Sequence, residues 1–240
     1  MPPRQPIFNA PGVVLGLLGL LFAVHLVRWA LRPEQDLWFT VAMAFIPARL
    51  AGHAAAMPGG QLAALTSFIT HVLVHGNLTH LLVNSAWLLA FGSPVARRIG
   101  AARFLVFFFL TGSIGALAYL LVNVGASIPV VGASGAISGL MGATFRFLFL
   151  GISGEFGGPR GVPLMSLAET LRDHRIQLVI AVATLVNALQ AWGAGILTEG
   201  DGIAWEAHLG GFYSGLLLYG LFERLPPAGA GTARDAAPAC

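Results

Sequence analysis

Lysine is absent from this chain of 240 residues, and charge of either sign is scarce. Thirteen arginines and ten acidic residues make up 10% of it, against about 25% in an ordinary globular domain. So little charge cannot cover a soluble fold, and hydrophobic residues reach 56% with a mean hydropathy of +0.78. The composition is that of an integral membrane chain. The one cysteine, Cys240, excludes a disulfide scaffold, and the low polarity excludes general disorder. The arginines are scattered, which excludes a nucleic-acid surface. No paired acids fall inside an apolar run and H-E-x-x-H is missing, so intramembrane aspartyl and zinc-protease patterns are both absent.

What is present is a series of apolar stretches. A bilayer core of about 30 Å needs about 20 apolar residues per helix. Six stretches approach that length: Pro11 to about Trp29, Leu78 to Val95, Phe104 to Val124, Ile128 to Leu150, Ile176 to Leu197, and Trp205 to Phe222. They predict an all-α polytopic protein with a six-helix membrane domain over residues 11–222. A short N-terminal segment, 1–10, precedes it, and a tail over 223–240, rich in Ala, Gly and Pro, is expected to be disordered. The N-terminal run is longer than a secretory h-region and lacks a cleavage pattern before Arg28, Arg32 and Pro33, so it reads as a retained span. The long connection from Arg32 to Asn77 includes the half-apolar piece Leu37 to Leu50, too interrupted to span, and is expected to lie in the interface as an amphipathic hairpin. A loop over Gly151 to Arg175 should end in a short surface helix.

Arginine placement predicts the direction. Six spans put ten arginines on one side (Arg4, Arg97, Arg98, Arg103, Arg146, Arg160, Arg172, Arg175, Arg224 and Arg234) and three on the other (Arg28, Arg32 and Arg49). The positive-inside rule then places both termini in the cytoplasm of a cell (inner) membrane. Trp192 and Trp205 fit an aromatic belt at the outer interface.

Polar groups within spans are costly and need a reason. One cluster, His71, His75, His80 and Asn84, enters the second span; Gly132-Ala133-Ser134-Gly135 opens the fourth; His208, Gly211 and Gly215 open the sixth. All three spans start on the outer side, so at about 1.5 Å per residue Asn84, Ser134 and His208 share a level within roughly 10 Å of the outer surface. A hydroxyl, an imidazole and an amide at one level suit acyl transfer: Ser134 as nucleophile and His208 as its base. Oxyanion donors would come from Asn84 and His80, four apart on one helix face, and from backbone N–H. Gly211 and Gly215 on one span, and Gly135, Gly139 and Gly142 on another, form small faces that permit close packing. With no aspartate in any span, a Ser–His dyad is expected rather than a triad.

These residues resemble the rhomboid family of intramembrane serine proteases. The family's H-x3-H-x4-H-x3-N pattern is similar to His71, His75, His80 and Asn84; its G-x-S-G pattern to Gly132 to Gly135; its H-x2-G-x3-G pattern to His208, Gly211 and Gly215. The resemblance covers about residues 71–222. It implies a six-span bundle with a membrane-embedded first loop, and cleavage of transmembrane substrates near their outer ends by Ser134 and His208. It also implies an oxyanion site lined by His80 and Asn84, a gate formed by the fifth span and the Thr198 to Ala204 loop, and no cofactor or metal. Two departures stand out. Thr66 and Ser67 occupy the place where many relatives carry Trp-Arg, and Ser138 the place of an aromatic that often stacks on the histidine.

Other readings stay open at this point. His80 and Asn84 could be interhelical hydrogen-bonding groups with no electrostatic role. His71 and His75 read best as braces of the first loop, although their spacing of four also fits a metal pair. Asn187 and Gln190 in the fifth span read as interhelical bonds. For the whole chain the alternative is a catalytically silent rhomboid-like protein that binds transmembrane helices. A transporter is disfavoured because the inner halves of spans two and six are almost entirely apolar.

Overall fold

A computed structural model describes residues 10–152, 163–192 and 204–224. The expected tail, Arg4, Arg160, most of the Thr198 to Ala204 loop and the side chains of Gln190 and Trp192 lie outside the described residues. The described chain is helical: α1 Gly12–Trp29, α2 Pro33–Met43, α3 Gly60–Thr70, α4 Leu78–Ile99, α5 Ala101–Val122, α6 Ser134–Phe145, α7 Leu148–Ile152, α8 Leu167–Arg172, α9 His174–Trp192 and α10 Trp205–Arg224. Among the described residues, the extended pairing is a bridge between Phe45 and Val130.

Three of these helices, α1, α4 and α5, are long and apolar enough to cross a membrane. Their outer faces carry exposed Leu15, Leu20, Leu26, Val106, Leu117 and Leu121. A surface of that kind suits lipid and would associate in water. Inside, Leu17 and Leu21 of α1 join Leu81 and Leu88 of α4, Phe104, Phe107 and Phe108 of α5, and Leu140 of α6 in one core. Lipid tails are as apolar as these side chains, so close packing and polar ties hold the helices together more than water exclusion does.

Local sequence explains the helix ends. Pro33 opens α2, with Glu34 and Asp36 in the first turn where the helix dipole favours acids. Asn77 caps α4 by accepting the His80 N–H at 2.8 Å. Gly100, at φ +78°, makes the reversal between α4 and α5. Ser166 and Glu169 form a reciprocal capping box on α8. Mid-way along α4, residues 88–92 widen into a π-helical turn, beyond the segment that carries His80 and Asn84.

The first connection is more ordered than a single half-apolar piece. It holds two helices, α2 and α3, separated by short turns. Thr70 donates to the Met43 carbonyl at 2.9 Å and Ser113 of α5 to the Phe68 carbonyl at 2.9 Å, which ties α3 to both neighbours. Buried Arg28, at the end of α1, pairs with Asp36 at 2.6 Å and donates to the His75 carbonyl. The end of α1 and the start of α2 are thereby tied to the histidine cluster, 47 positions beyond Arg28.

The fourth apolar stretch differs from its expected form. Residues 128–133 are not helical; α6 starts at Ser134, six residues later than Ile128. Pro129 and Gly132 interrupt the run, Val130 is bonded to Phe45, and Gly132 at φ +120° cannot sit in a right-handed helix. The helix that follows is short and central. Nine of its twelve residues are buried.

Candidate active site

Ser134 is the first residue of α6, where backbone N–H groups have no partner within the helix. The two residues before it are held on both sides. The Gly132 N–H donates to the His71 carbonyl at 2.9 Å, and the Ala133 N–H to His75 Nε2 at 3.4 Å. His71 and His75 are both buried, and His71 Nδ1–H donates to the Ser67 carbonyl at 2.8 Å. These contacts engage His71 Nδ1 and His75 Nε2 with backbone groups that brace the serine loop. Ser67 takes part through its carbonyl.

Gly132 is required by both conformation and space. A Cβ there would lie 2.8 Å from His80 Cε1 and Nε2 and 3.7 Å from Asn84 Nδ2. The His80 ring therefore rests against the chain just ahead of Ser134, edge-on to His75 with ring centroids 5.1 Å apart. Asn84, one turn further along α4, is buried, and its Nδ2 has no hydrogen-bond partner among the described residues. A buried amide donor left unpaired costs about 1–3 kcal/mol unless something comes to it.

His208 lies in the first turn of α10. This helix and α6 meet backbone to backbone: a Cβ on Gly211 would collide with the Gly135 carbonyl, one on Gly215 with the Gly139 carbonyl, and one on Gly142 with the Phe212 carbonyl. A second glycine contact, absent from the sequence reading, lies on the other side of α10. There Gly210 faces Ala118, and a Cβ on Gly115 of α5 would lie 2.6 Å from the Ala207 carbonyl. Its signal in the residues is Gly115 and Ala118 on α5 opposite Gly210 on α10. Locked between α5 and α6, α10 brings His208 Nε2 to 2.8 Å from Ser134 Oγ.

The far ring nitrogen is also engaged. His208 Nδ1 lies 3.2 Å from Asn187 Oδ1 on α9. Sequence reasoning assigned Asn187 an interhelical bond without its partner; an amide inside an apolar run was the signal available. The serine, imidazole and amide thus form one hydrogen-bonded line. Chemically, such a line suits proton transfer from a hydroxyl to an imidazole beside unpaired donors.

Comparison with known proteins gives the same direction. The Rhomboid domain family matches residues 62–224. Over 88 residues the chain is 41% identical to a Bacillus subtilis (strain 168) protein named "Putative rhomboid protease YdcA", covering 34% of this chain and 41% of that one. Over 148 residues it is 28% identical to "RHOMBOID-like protein 4" of Arabidopsis thaliana, covering 60% of this chain and 31% of the relative. The matches therefore span less than half the length of either relative.

Proposed function

Because the chain belongs to the rhomboid family, we propose that it is an intramembrane serine endopeptidase that cleaves transmembrane segments of other membrane proteins. The observation that carries the reading is the 2.8 Å approach of His208 Nε2 to Ser134 Oγ. In this reading α1, α4, α5, α6 with α7, α9 and α10 are six spans, both termini are cytoplasmic, and the site opens toward the outer side. The helices of the first connection rest in the outer interface. Ser134, a few residues inside the outer end of its apolar stretch in this reading, lies below the membrane surface at the level of Asn84 and His208. Hydrolysis in this reading requires water to reach that level from the outer side.

The reaction then runs as acyl transfer. A substrate helix enters from lipid and unwinds, since a helix hides its carbonyl carbons from attack. Ser134 Oγ attacks the carbonyl carbon while its proton passes to His208 Nε2. The oxyanion accepts hydrogen bonds from Asn84 Nδ2–H, a His80 ring N–H and the Ser134 backbone N–H, with the positive end of α6 behind it. The C–N bond breaks as His208 returns the proton to the leaving amine. Water, deprotonated by the same imidazole, hydrolyses the acyl-enzyme. Gly132, Gly135, Gly211 and Gly215 serve the approach, and His71 and His75 brace the loop.

Purified protein in detergent should cut a transmembrane reporter, and Ser134→Ala should reduce cutting below detection. Asn84→Ala should lose roughly 100-fold in turnover while keeping its fold, the size of effect one oxyanion donor carries. Cutting by Ser134→Ala at the parent rate would overturn the assignment. A parent that binds transmembrane segments without cutting them would move it to the silent, helix-binding alternative.

A further inference from the structure

We propose that Asn187 is a positioning residue for His208, so that the reacting pair works as a Ser–His–Asn line with its third member carried on α9. The inference rests on the proteolytic reading above and adds a residue to it.

The geometry makes the Asn187 amide an oriented acceptor. Its Nδ2 donates to the Ala183 carbonyl one turn back at 2.8 Å, which turns Oδ1 toward the ring of His208 at 3.2 Å. A carboxamide oxygen only accepts, so Nδ1 must carry the ring hydrogen. In the neutral imidazole that leaves a lone pair on Nε2, facing the Ser134 hydroxyl at 2.8 Å. This is the tautomer a general base requires. The opposite tautomer would set a ring N–H against the serine oxygen and a lone pair against Oδ1. An aspartate is therefore unnecessary for ring orientation, which is why a search for carboxylates in the spans finds a dyad and stops there.

The placement on α9 separates this amide from the rest of the site. Leu178, Val182, Leu185, Val186 and Leu189 of α9 are exposed, so the helix has a broad lipid-facing surface. Among the described residues, its polar ties to α10 are Asn187 to His208 and, one turn away, Thr184 Oγ1 to Tyr213 OH at 2.9 Å. A tie that only fastened α9 would control how substrates enter. A tie that positions the base controls the reactivity of Ser134 itself, and a small probe reads that difference.

The test is the labelling rate of Ser134 by a soluble fluorophosphonate on the full chain in detergent, alongside kcat and KM for a transmembrane reporter. Asn187→Leu keeps the volume and removes the acceptor; Asn187→Asp keeps an acceptor. The Leu variant should label roughly tenfold more slowly, with kcat falling and KM within twofold. The Asp variant should recover at least a third of the parent rate. Where the Leu variant is not monodisperse, Asn187→Ala is read by the same criteria. Labelling of the Leu or Ala variant at the parent rate or faster would overturn the positioning role, since loosening a mere fastening admits the probe more freely. A parent that is neither labelled at Ser134 nor able to cut would instead overturn the proteolytic reading beneath it.

Discussion

The two helices that reach His208 are built in opposite ways. Along the α6–α10 seam, Gly142, Gly211 and Gly215 let backbone meet backbone at the carbonyls of Phe212, Gly135 and Gly139, leaving no room for a methyl group. On the α9 side large aliphatic residues face outward, Ile176, Val179 and Ile180 pack in one apolar cluster with Phe212 of α10, and the polar ties among the described residues are Thr184–Tyr213 and Asn187–His208. The first arrangement fixes the distance from hydroxyl to imidazole by steric contact, which does not slide by fractions of an ångström. The second fixes the ring's tautomer by hydrogen bonds, which break and reform at low cost. Distance and orientation of the same imidazole are thus assigned to different kinds of force.

That contrast can be broken from the rigid side first. Gly215→Val places three carbons where the Gly139 carbonyl already lies and must push α10 away from α6. Overpacking of this kind costs about 1–3 kcal/mol or more, and a misplacement of about 1 Å costs about 100-fold in rate. Reporter cleavage should fall to a hundredth or less, with a lower Tm in the same detergent. A variant with parent activity would show that the seam does not set the distance. The loose side should respond least. Thr184→Val removes the hydroxyl bonded to Tyr213 and keeps the shape, so cleavage should stay within about threefold of the parent. A hundredfold loss there would mean that α9 is held as tightly as α6.

Much of this contrast is legible in the residues. The runs that become α1, α4 and α5 carry enough uninterrupted hydrophobicity to be read directly, and the small-residue spacing on α6 and α10 marks their contact before any coordinates. The start of α6 is not legible in the same way. Ile128, Val130 and Val131 are apolar whether helical or extended, so hydropathy alone is blind to the Phe45 bridge and to the positive φ of Gly132. The helix α3 escapes notice because its eleven residues are too few to span and glycines lie just ahead of it. Asn187 is visible as a polar residue in an apolar run, but its partner depends on a tertiary contact across 21 positions. The resemblance placed Ser138 where relatives carry a ring-stacking aromatic; Asn187 contacts the imidazole from another helix, at the far nitrogen.

The central claim is that the Ser134 hydroxyl is reactive because the His208 imidazole takes its proton. Its most direct test is the location of a fluorophosphonate adduct by mass spectrometry in the parent and in His208→Ala. The account predicts an adduct on Ser134 in the parent and none in His208→Ala at matched exposure. An adduct on Ser134 formed equally fast without the imidazole, or one confined to another residue, would contradict it.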